Sequence, residues 1–374
     1  MKRALSVPLL LRCSRAWRIY VRNMADIPEG ILIGFGNPLL DITKIVKDKI
    51  ILEKYGLSEN AAIIAEEKHS QLFIELSKMD DIIYSAGGAC QNSMRIFQWI
   101  ISKPFRAYFV GAIGTDNFGE TLEKKASGDG VRALYQKRPE APTGTCAVIV
   151  NGSNRSLVAN LGASALFSEE WMKNNENMCY VKRAQYFYIT GFFLAVNPPT
   201  VLQVARLSSE NNRIFMLNFS AVFVPEQMKS QLDEILPYTD IVIGNKQEML
   251  AYADTHNWNT KDVFEVGRRL QSMPKCNKRS RIVMITDAVC PVLCFQENDK
   301  VIEYPVPKVE QNQIVDTNGC GDAFVGGFLS QLVQQMPIDS CVRTGIFASQ
   351  QVLRVVGIQI EKLPKFEQSF CSTK

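Results

Sequence analysis

An α/β fold whose parallel sheet is covered on both faces is the architecture the sequence predicts. Three observations carry it: short apolar runs of strand length recur along the chain, helical patterns separate several of them, and only two stretches break that rhythm. Residues 31–35 read as a buried strand running into Gly36-Asn37-Pro38, and residues 108–113 read the same way before the turn-rich GAIGTDNFG. Further short strands are predicted at 185–189, 214–217, 241–243 and 282–285, with helices over 199–211 and 260–273. The exceptions are residues 39 to about 84 and 143 to about 163. The second contains TGTCAVIVNGSNRSLVANLGA, the pattern of a hairpin turning through Asn151-Gly152-Ser153-Asn154. Together these stretches are expected to form a small sheet projecting from the main one. No repeat or low-complexity linker divides the chain, so residues 25–374 are expected to be one domain with a lid, behind a leader or tail at 1–24.

Composition limits the function classes. The 374 residues are 46% apolar and 21% charged, an ordinary globular mix. Of the net charge of +4, much comes from Lys2, Arg3, Arg12, Arg15, Arg18 and Arg22, which precede the first acid, Asp26. The body is near neutral, which argues against a general nucleic-acid surface. The Arg-rich start, with a short apolar stretch at 7–11, has the composition of a mitochondrial transit peptide or of a plain tail with Met24 as alternative start. The longest apolar run in the body, 186–196, is far short of the ~20 residues of a membrane-spanning helix. Ten cysteines without a CxxC pair suit free thiols in a reducing compartment. Two distant histidines, His69 and His256, offer no zinc spacing.

The chemistry is expected in DTNGCGDAFVGGF, residues 316–328. It joins a Gly-rich turn to a helix whose Phe324, Phe328, Leu329, Leu332 and Val333 share one face. Such a turn aims several backbone N–H groups and the positive end of the helix dipole at one point, where an anion is stabilised. Asp322, in the first turn, is expected to stay ionised and to accept a proton, while the N–H groups of Gly319, Cys320, Gly321 and Asp322 hold charge on a transferring phosphoryl group. The same residues also read as a helix-start acid after a tight turn. Gly326-Gly327 inside a helix costs roughly 1 kcal/mol per glycine and calls for a close approach of some kind. The segment is neither a Walker A loop nor a GxGxxG fingerprint.

GNPLLD (36–41), AGGACQNS (86–93), GAIGTDNFG (111–119), PTGTC (142–146), NRSLVANL (154–161), GFFL (191–194), SENNRIF (209–215), GNKQE (244–248) and DTNGCGDAFVGGFLSQL (316–332) together resemble the ribokinase-like (PfkB) carbohydrate kinases, and within them the members that phosphorylate adenosine. The resemblance runs from residue 31 to about 364. It implies a doubly wound α/β core with a small β-lid, adenosine between the two, ATP with Mg²⁺ beside it, and AMP plus ADP as products. By the same resemblance Asn37 and Asp41 hold the ribose hydroxyls, with Gly87, Gly88 and Asn92 completing that wall. Phe192 stacks on the purine, and Ile64, Cys146, Leu157, Ala159 and Phe223 surround it. Arg155 closes on the phosphates, Thr286 belongs to the nucleotide site, and Asn245 with Glu248 organises Mg²⁺ through water. A monomer in cytoplasm and nucleus follows, or a mitochondrial enzyme if residues 1–23 are a transit peptide.

The chain departs from that pattern at Ala62 and Ala89, where Gln and Ser are usual, at Val222-Phe223 for Pro-Phe, at Ala288 for glycine, and at Cys320 for alanine. The first three bear on base selectivity and Ala288 on ATP affinity. A helix N-terminus lowers a thiol's pKa, so Cys320 is expected to make the protein sensitive to oxidation. Besides adenosine phosphorylation, the sequence is compatible with a kinase for another nucleoside or sugar, or with a weakly active nucleoside-binding paralogue.

Overall fold

The computed structural model describes residues 27–59, 62–152 and 154–367; the leader at 1–24 lies outside them. Fourteen strands form two sheets among the described residues. The larger sheet holds β1 (Leu32–Phe35), β5 (Ala107–Ile113), β6 (Arg132–Lys137), β9 (Tyr186–Thr190), β10 (Ile214–Asn218), β11 (Ile241–Asn245), β12 (Ile282–Thr286), β13 (Val292–Phe295) and β14 (Val301–Tyr304). Its order is β14-β13-β12-β11-β10-β9-β1-β5-β6. From β12 to β6 all pairings are parallel. The antiparallel edge pair β13 and β14 was not expected from sequence: runs of four residues next to turns carry too little period to read.

Alternate side chains of the central strands enter opposite cores, as a period of two requires. Ile33, Phe35 and Tyr108 pack into one layer with α3 (Pro198–Glu210), α4 (Lys246–Thr255) and α5 (Val263–Ser272). Leu32 and Phe109 pack into the other with α1 (Ala89–Ile101), α6 (Cys320–Leu332) and α7 (Ile338–Val352). Burial on both faces is why these strands are unbroken apolar runs. Strand order turns around β1: the chain builds β5 and β6 to one side, then β9 to β12 to the other. Ligands of open parallel sheets bind beyond the carboxyl ends of the strands at such a point.

Helix α6 lies between α1 and α7, and its two glycines have a packing cause. A Cβ on Gly326 would sit 2.5 Å from the Ser93 carbonyl oxygen, and one on Gly327 2.6 Å from that of Thr344. The missing side chains let three backbones close up.

The smaller sheet, β3-β8-β7-β2-β4, draws on both predicted stretches: β2 (Leu39–Val46), β3 (Ala62–Ile64), β4 (Ile83–Gly87), β7 (Thr145–Asn151) and β8 (Asn154–Asn160). Strands β7 and β8 form the expected hairpin, with Asn151 opposite Asn154. Ile42, Ala147, Ile149 and Val158 turn to one face, under Leu72 and Leu76. Cys146, Val148 and Val150 turn to the other, with Leu157 and Ala159. Where β7 leaves the core, Asp116 holds Thr143 through its backbone N–H at 2.7 Å and its hydroxyl at 2.6 Å, while also capping α2 (Asn117–Gly128) at Gly119. Two of the motifs, GAIGTDNFG and PTGTC, thus meet at a joint between the sheets rather than at the chemistry.

Candidate active site

Each core residue of the site follows the carboxyl end of a parallel strand: Asn37 after β1, Phe192 after β9, Ser220 after β10, Asn245 at the end of β11 and Thr286 at the end of β12. Phe192, Asn218, Ser220, Asn245, Glu248, Thr286, Gly321 and Asp322 line one cavity of about 180 Å³. Asn218 and Ser220 were missed from sequence. Asn218-Phe219-Ser220 reads as a glycosylation sequon, but it closes a buried strand, with Asn218 Oδ1 accepting from the Ser220 N–H at 3.0 Å and Ser220 in the left-handed region at φ 71°. Two polar residues flanking Phe219 at the end of an apolar strand were the available signal.

Gly319, at φ 78°, is the N-cap of α6, and the first bond of the helix runs from the Ala323 N–H to the Gly319 carbonyl at 2.8 Å. The N–H groups of Cys320, Gly321 and Asp322 therefore precede the helical ladder and are directed out of its positive end. Asp322, in that turn, accepts a hydrogen bond from Asn92 Nδ2 at 3.0 Å. The expected ionised state is corrected here: burial, reinforced by the Asp41 charge and only partly offset by the Asn92 bond, pushes the Asp322 carboxyl up to about 7. That is where a general base at neutral pH works best.

The Cys320 thiol needs the same correction. Its Sγ turns to the Ser349 carbonyl of α7 at 3.8 Å, packed with Val352 and Ile358, so only its backbone belongs to the anion site. Burial, with Asp316 and Asp322 nearby, pushes the thiol up to about 12, which removes the basis for unusual oxidation sensitivity.

Asn37 Nδ2 donates to the Phe192 carbonyl at 3.2 Å, and its Oδ1 is buried without a partner among the described residues. An unpaired buried acceptor is suited to a hydroxyl donor. Burial pushes the Asp41 carboxyl up to about 6, against the lowering effect of Arg155 and Arg95. Gly87 and Gly88 make room for this pair. A Cβ on Gly87 would meet Asp41 Oδ1 at 2.1 Å, and one on Gly88 would meet the Asn37 carbonyl oxygen at 2.1 Å. Asn92, expected to complete the ribose wall with Gly87 and Gly88, donates through Nδ2 to Asp322.

Strand register places Ile64, Ala159, Cys146 and Asp41 in one row across the small sheet, with Leu157 two residues from Ala159 on the same face. Ile64, at the sheet edge, is 56% exposed. Phe223 lies with its ring centroid 6.0 Å from that of Phe192. Arg155, expected toward phosphates, is instead ion-paired with Asp316; the two residues are 8% and 2% exposed. Asp316 also takes the Gly357 N–H at 2.7 Å. Asn245 and Glu248 form a reciprocal cap on α4: Asn245 N–H and Nδ2 donate to Glu248 at 3.0 and 2.7 Å, and the Glu248 N–H donates back at 2.9 Å. Burial pushes Glu248 up to about 7.

No group of three or more metal-ligating side chains occurs among the described residues, and no helix there is long and apolar enough to cross a membrane. Magnesium nevertheless fits the cavity: Asn245 and Glu248 both line it, and Mg²⁺ ordinarily takes one or two carboxylates, keeps several waters and completes its shell with substrate phosphates.

The family model of the pfkB family carbohydrate kinases matches residues 50–365. Adenosine kinase 2 of Arabidopsis thaliana is 41% identical over 339 residues, 90% of this chain and 98% of the relative. The adenosine kinase of Schizosaccharomyces pombe is 38% identical, covering 90% and 97%. Among solved structures, Anopheles gambiae adenosine kinase in complex with P1,P4-di(adenosine-5) tetraphosphate superposes with a TM-score of 0.85 at 45% identity, covering 91% of this chain and all of that one. Schistosoma mansoni adenosine kinase in complex with adenosine gives 0.83 at 33% identity, covering 93% and 100%.

Proposed function

The chain belongs to the pfkB family of carbohydrate kinases, and from that premise we propose that it transfers the γ-phosphoryl group of ATP to the 5′-hydroxyl of adenosine. The observation that carries this reading is the cavity in which Asp322, at the open N-terminus of α6, meets Phe192, whose carbonyl takes the Asn37 amide, with the Asp41 charge near enough to act on the Asp322 carboxyl. The relatives and solved neighbours named above are adenosine kinases, matched over nearly their whole length.

Asn37 and Asp41 hold the ribose diol, and a substrate lacking those hydroxyls leaves a buried acceptor and a buried carboxylate unpaired. Phe192 offers a ring face to the base, and the row Ile64, Ala159 and Cys146, with Leu157, covers it from the lid. Asp322 accepts the 5′-hydroxyl proton while the O5′–Pγ bond forms and the bond from Pγ to the β-phosphate oxygen breaks, ADP leaving with the electron pair. The N–H groups of Cys320, Gly321 and Asp322 steady the equatorial oxygens. Asn245 and Glu248 would hold magnesium, which when bound would neutralise phosphate charge. Ala89 lines the cavity where relatives usually carry serine, which favours a broader base tolerance as a second reading.

Transfer of radiolabelled phosphate from ATP across a panel of nucleosides and free sugars tests both readings. Adenosine is expected to be the best acceptor; no transfer to adenosine overturns the proposal. We further propose a monomer acting in cytoplasm and nucleus, which light scattering and cell fractionation check, with mass spectrometry of the mature N-terminus testing the alternative of a cleaved mitochondrial leader.

A further inference from the structure

We infer that Arg95 is a positioning residue for the base, acting through the side-chain amide of Asn92. Arg95 lies on α1 one helical turn beyond Asn92 and is only 3% exposed. Its guanidinium is fixed from three sides. Nε donates to Asp129 Oδ2 just after α2 at 2.6 Å, Nη1 donates to the Ala86 carbonyl on β4, and Nη2 donates to the Ile358 carbonyl in the C-terminal segment at 2.8 Å. The remaining direction of Nη1 meets Asn92 Oδ1 at 3.3 Å.

That last contact decides which end of the Asn92 amide faces the cleft. An arginine has donors only, so it meets the amide oxygen and not the NH₂. The NH₂ is thereby left to point at Asp322, where it donates to Oδ2 at 3.0 Å. A reversed amide would set an oxygen against the carboxylate, favouring the protonated acid that cannot act as a base. The relay Asp129–Arg95–Asn92–Asp322 therefore holds the base both in place and ionisable. Neither Arg95 nor Asp129 touches the cleft, which is why their types alone did not mark them. Other groups set the remaining environment of Asp322: Asp41 across the cleft, Cys90 on α1, Tyr188 on β9 and Cys320 on its own helix, with Glu248 lining the same cavity. Arg95 also lowers the Asp41 carboxyl, as does Arg155, so the effect on Asp41 must be read separately.

The inference rests on the kinase reading, and its test is the pH dependence of kcat in the wild type, Arg95→Met, Asn92→Ala and the double variant, with adenosine affinity followed by fluorescence to isolate Asp41. Arg95→Met is expected to move the acid limb to higher pH, lowering kcat about tenfold at pH 7 while recovering to within about twofold at pH 9. Asn92→Ala should move it the same way, and the double variant no further than Asn92→Ala alone. Arg95→Lys keeps the charge but not the fork and should rescue only part of the shift. A pH-independent loss in Arg95→Met, or shifts that add in the double variant, overturns the inference. If Arg95→Met does not fold, Asp129→Asn, which loosens only the Nε anchor, should shift the limb less but in the same direction; an unmoved limb overturns it. If the wild type proves inactive on adenosine, the functional reading fails, and the inference is decided instead by ¹³C NMR titration of the Asp322 carboxyl, which should titrate at higher pH in Arg95→Met than in the wild type.

Discussion

The two walls of the cleft are built on different principles. The core wall takes residues from the ends of successive parallel strands and from the start of α6, held by side-chain bonds: Asn245 and Glu248 cap each other, Ser220 folds back on Asn218, and Asp322 is held by Asn92. The lid wall takes every second residue of neighbouring strands, and its row of Ile64, Ala159, Cys146 and Asp41 is set by register. The Arg155–Asp316 pair ties the two walls together at the root of the anion site. Polar chemistry on one side and an apolar cover on the other suit an enzyme that must hold its acceptor and exclude water.

The largest test of this contrast is Asp322→Asn. It should lower kcat by about 10² to 10⁴, and adenosine should still bind because the lid row and Phe192 are untouched. Loss of binding equal to the loss of turnover would break the division between walls. The same variant separates activity from stability. The folded-state pKa of Asp322, at about 7, is above the ordinary value of an aspartate carboxyl. Its contribution to stability is therefore complete below about pH 4 and is lost as pH rises through about 7. Thermal melts of Asp322→Asn without ligands should show a higher Tm than the wild type at pH 8, while wild-type kcat/KM should rise through about pH 7.

Next comes the tie between walls. Replacing Arg155 by Met leaves the Asp316 carboxylate buried without its cation, which costs about 3–5 kcal/mol in denaturant unfolding. If the loss is concentrated in the lid, hydrogen exchange will accelerate in β7 and β8 more than in β9 to β12. Equal acceleration everywhere would mean that the pair serves the whole fold. Gly326→Ala probes the core wall from behind. Its Cβ must displace the Ser93 carbonyl of α1, which costs roughly 1–3 kcal/mol and should lower kcat by shifting Asn92 on the same helix. The smallest effect is expected at Ala288, whose φ of 45° is a left-handed conformation that alanine resists. Ala288→Gly should raise stability by about 1 kcal/mol in urea denaturation and tighten ATP binding if the turn after Thr286 governs it.

The parallel strands and the hairpin of the lid were legible because burial and turns write themselves locally, as apolar runs in the core and in β7 and as the turn residues between β7 and β8. The anion turn was legible because glycines followed by an acid at a helix start have few other uses. What stayed hidden depends on partners distant in sequence. The need for Gly326 and Gly327 comes from Ser93 and Thr344. The direction of the Cys320 thiol comes from Ser349, and the occupation of Arg155 from Asp316. The raised carboxyl of Asp322 likewise reflects enclosure by several elements, while its helix-start position alone argued for easy ionisation. The resemblance named Ile64, Ala159 and Cys146 together, but only the register shows that they share one face of the small sheet.

The pairing of the small sheet has a kinetic consequence. Its central ladder joins β2 to β7, with Leu40 beside Thr145, and the whole of α1, β5, α2 and β6 lies between them in the chain. Closing that loop is entropically expensive until the larger sheet has brought its ends together. During refolding the ladder should therefore gain protection after β9 to β12, whose partners follow one another along the chain. A newly made molecule would pass through a stage in which the phosphoryl-transfer machinery is assembled while its nucleoside cover is still unpaired strand, the stage at which exposed edges invite aggregation and at which bound adenosine would speed maturation most.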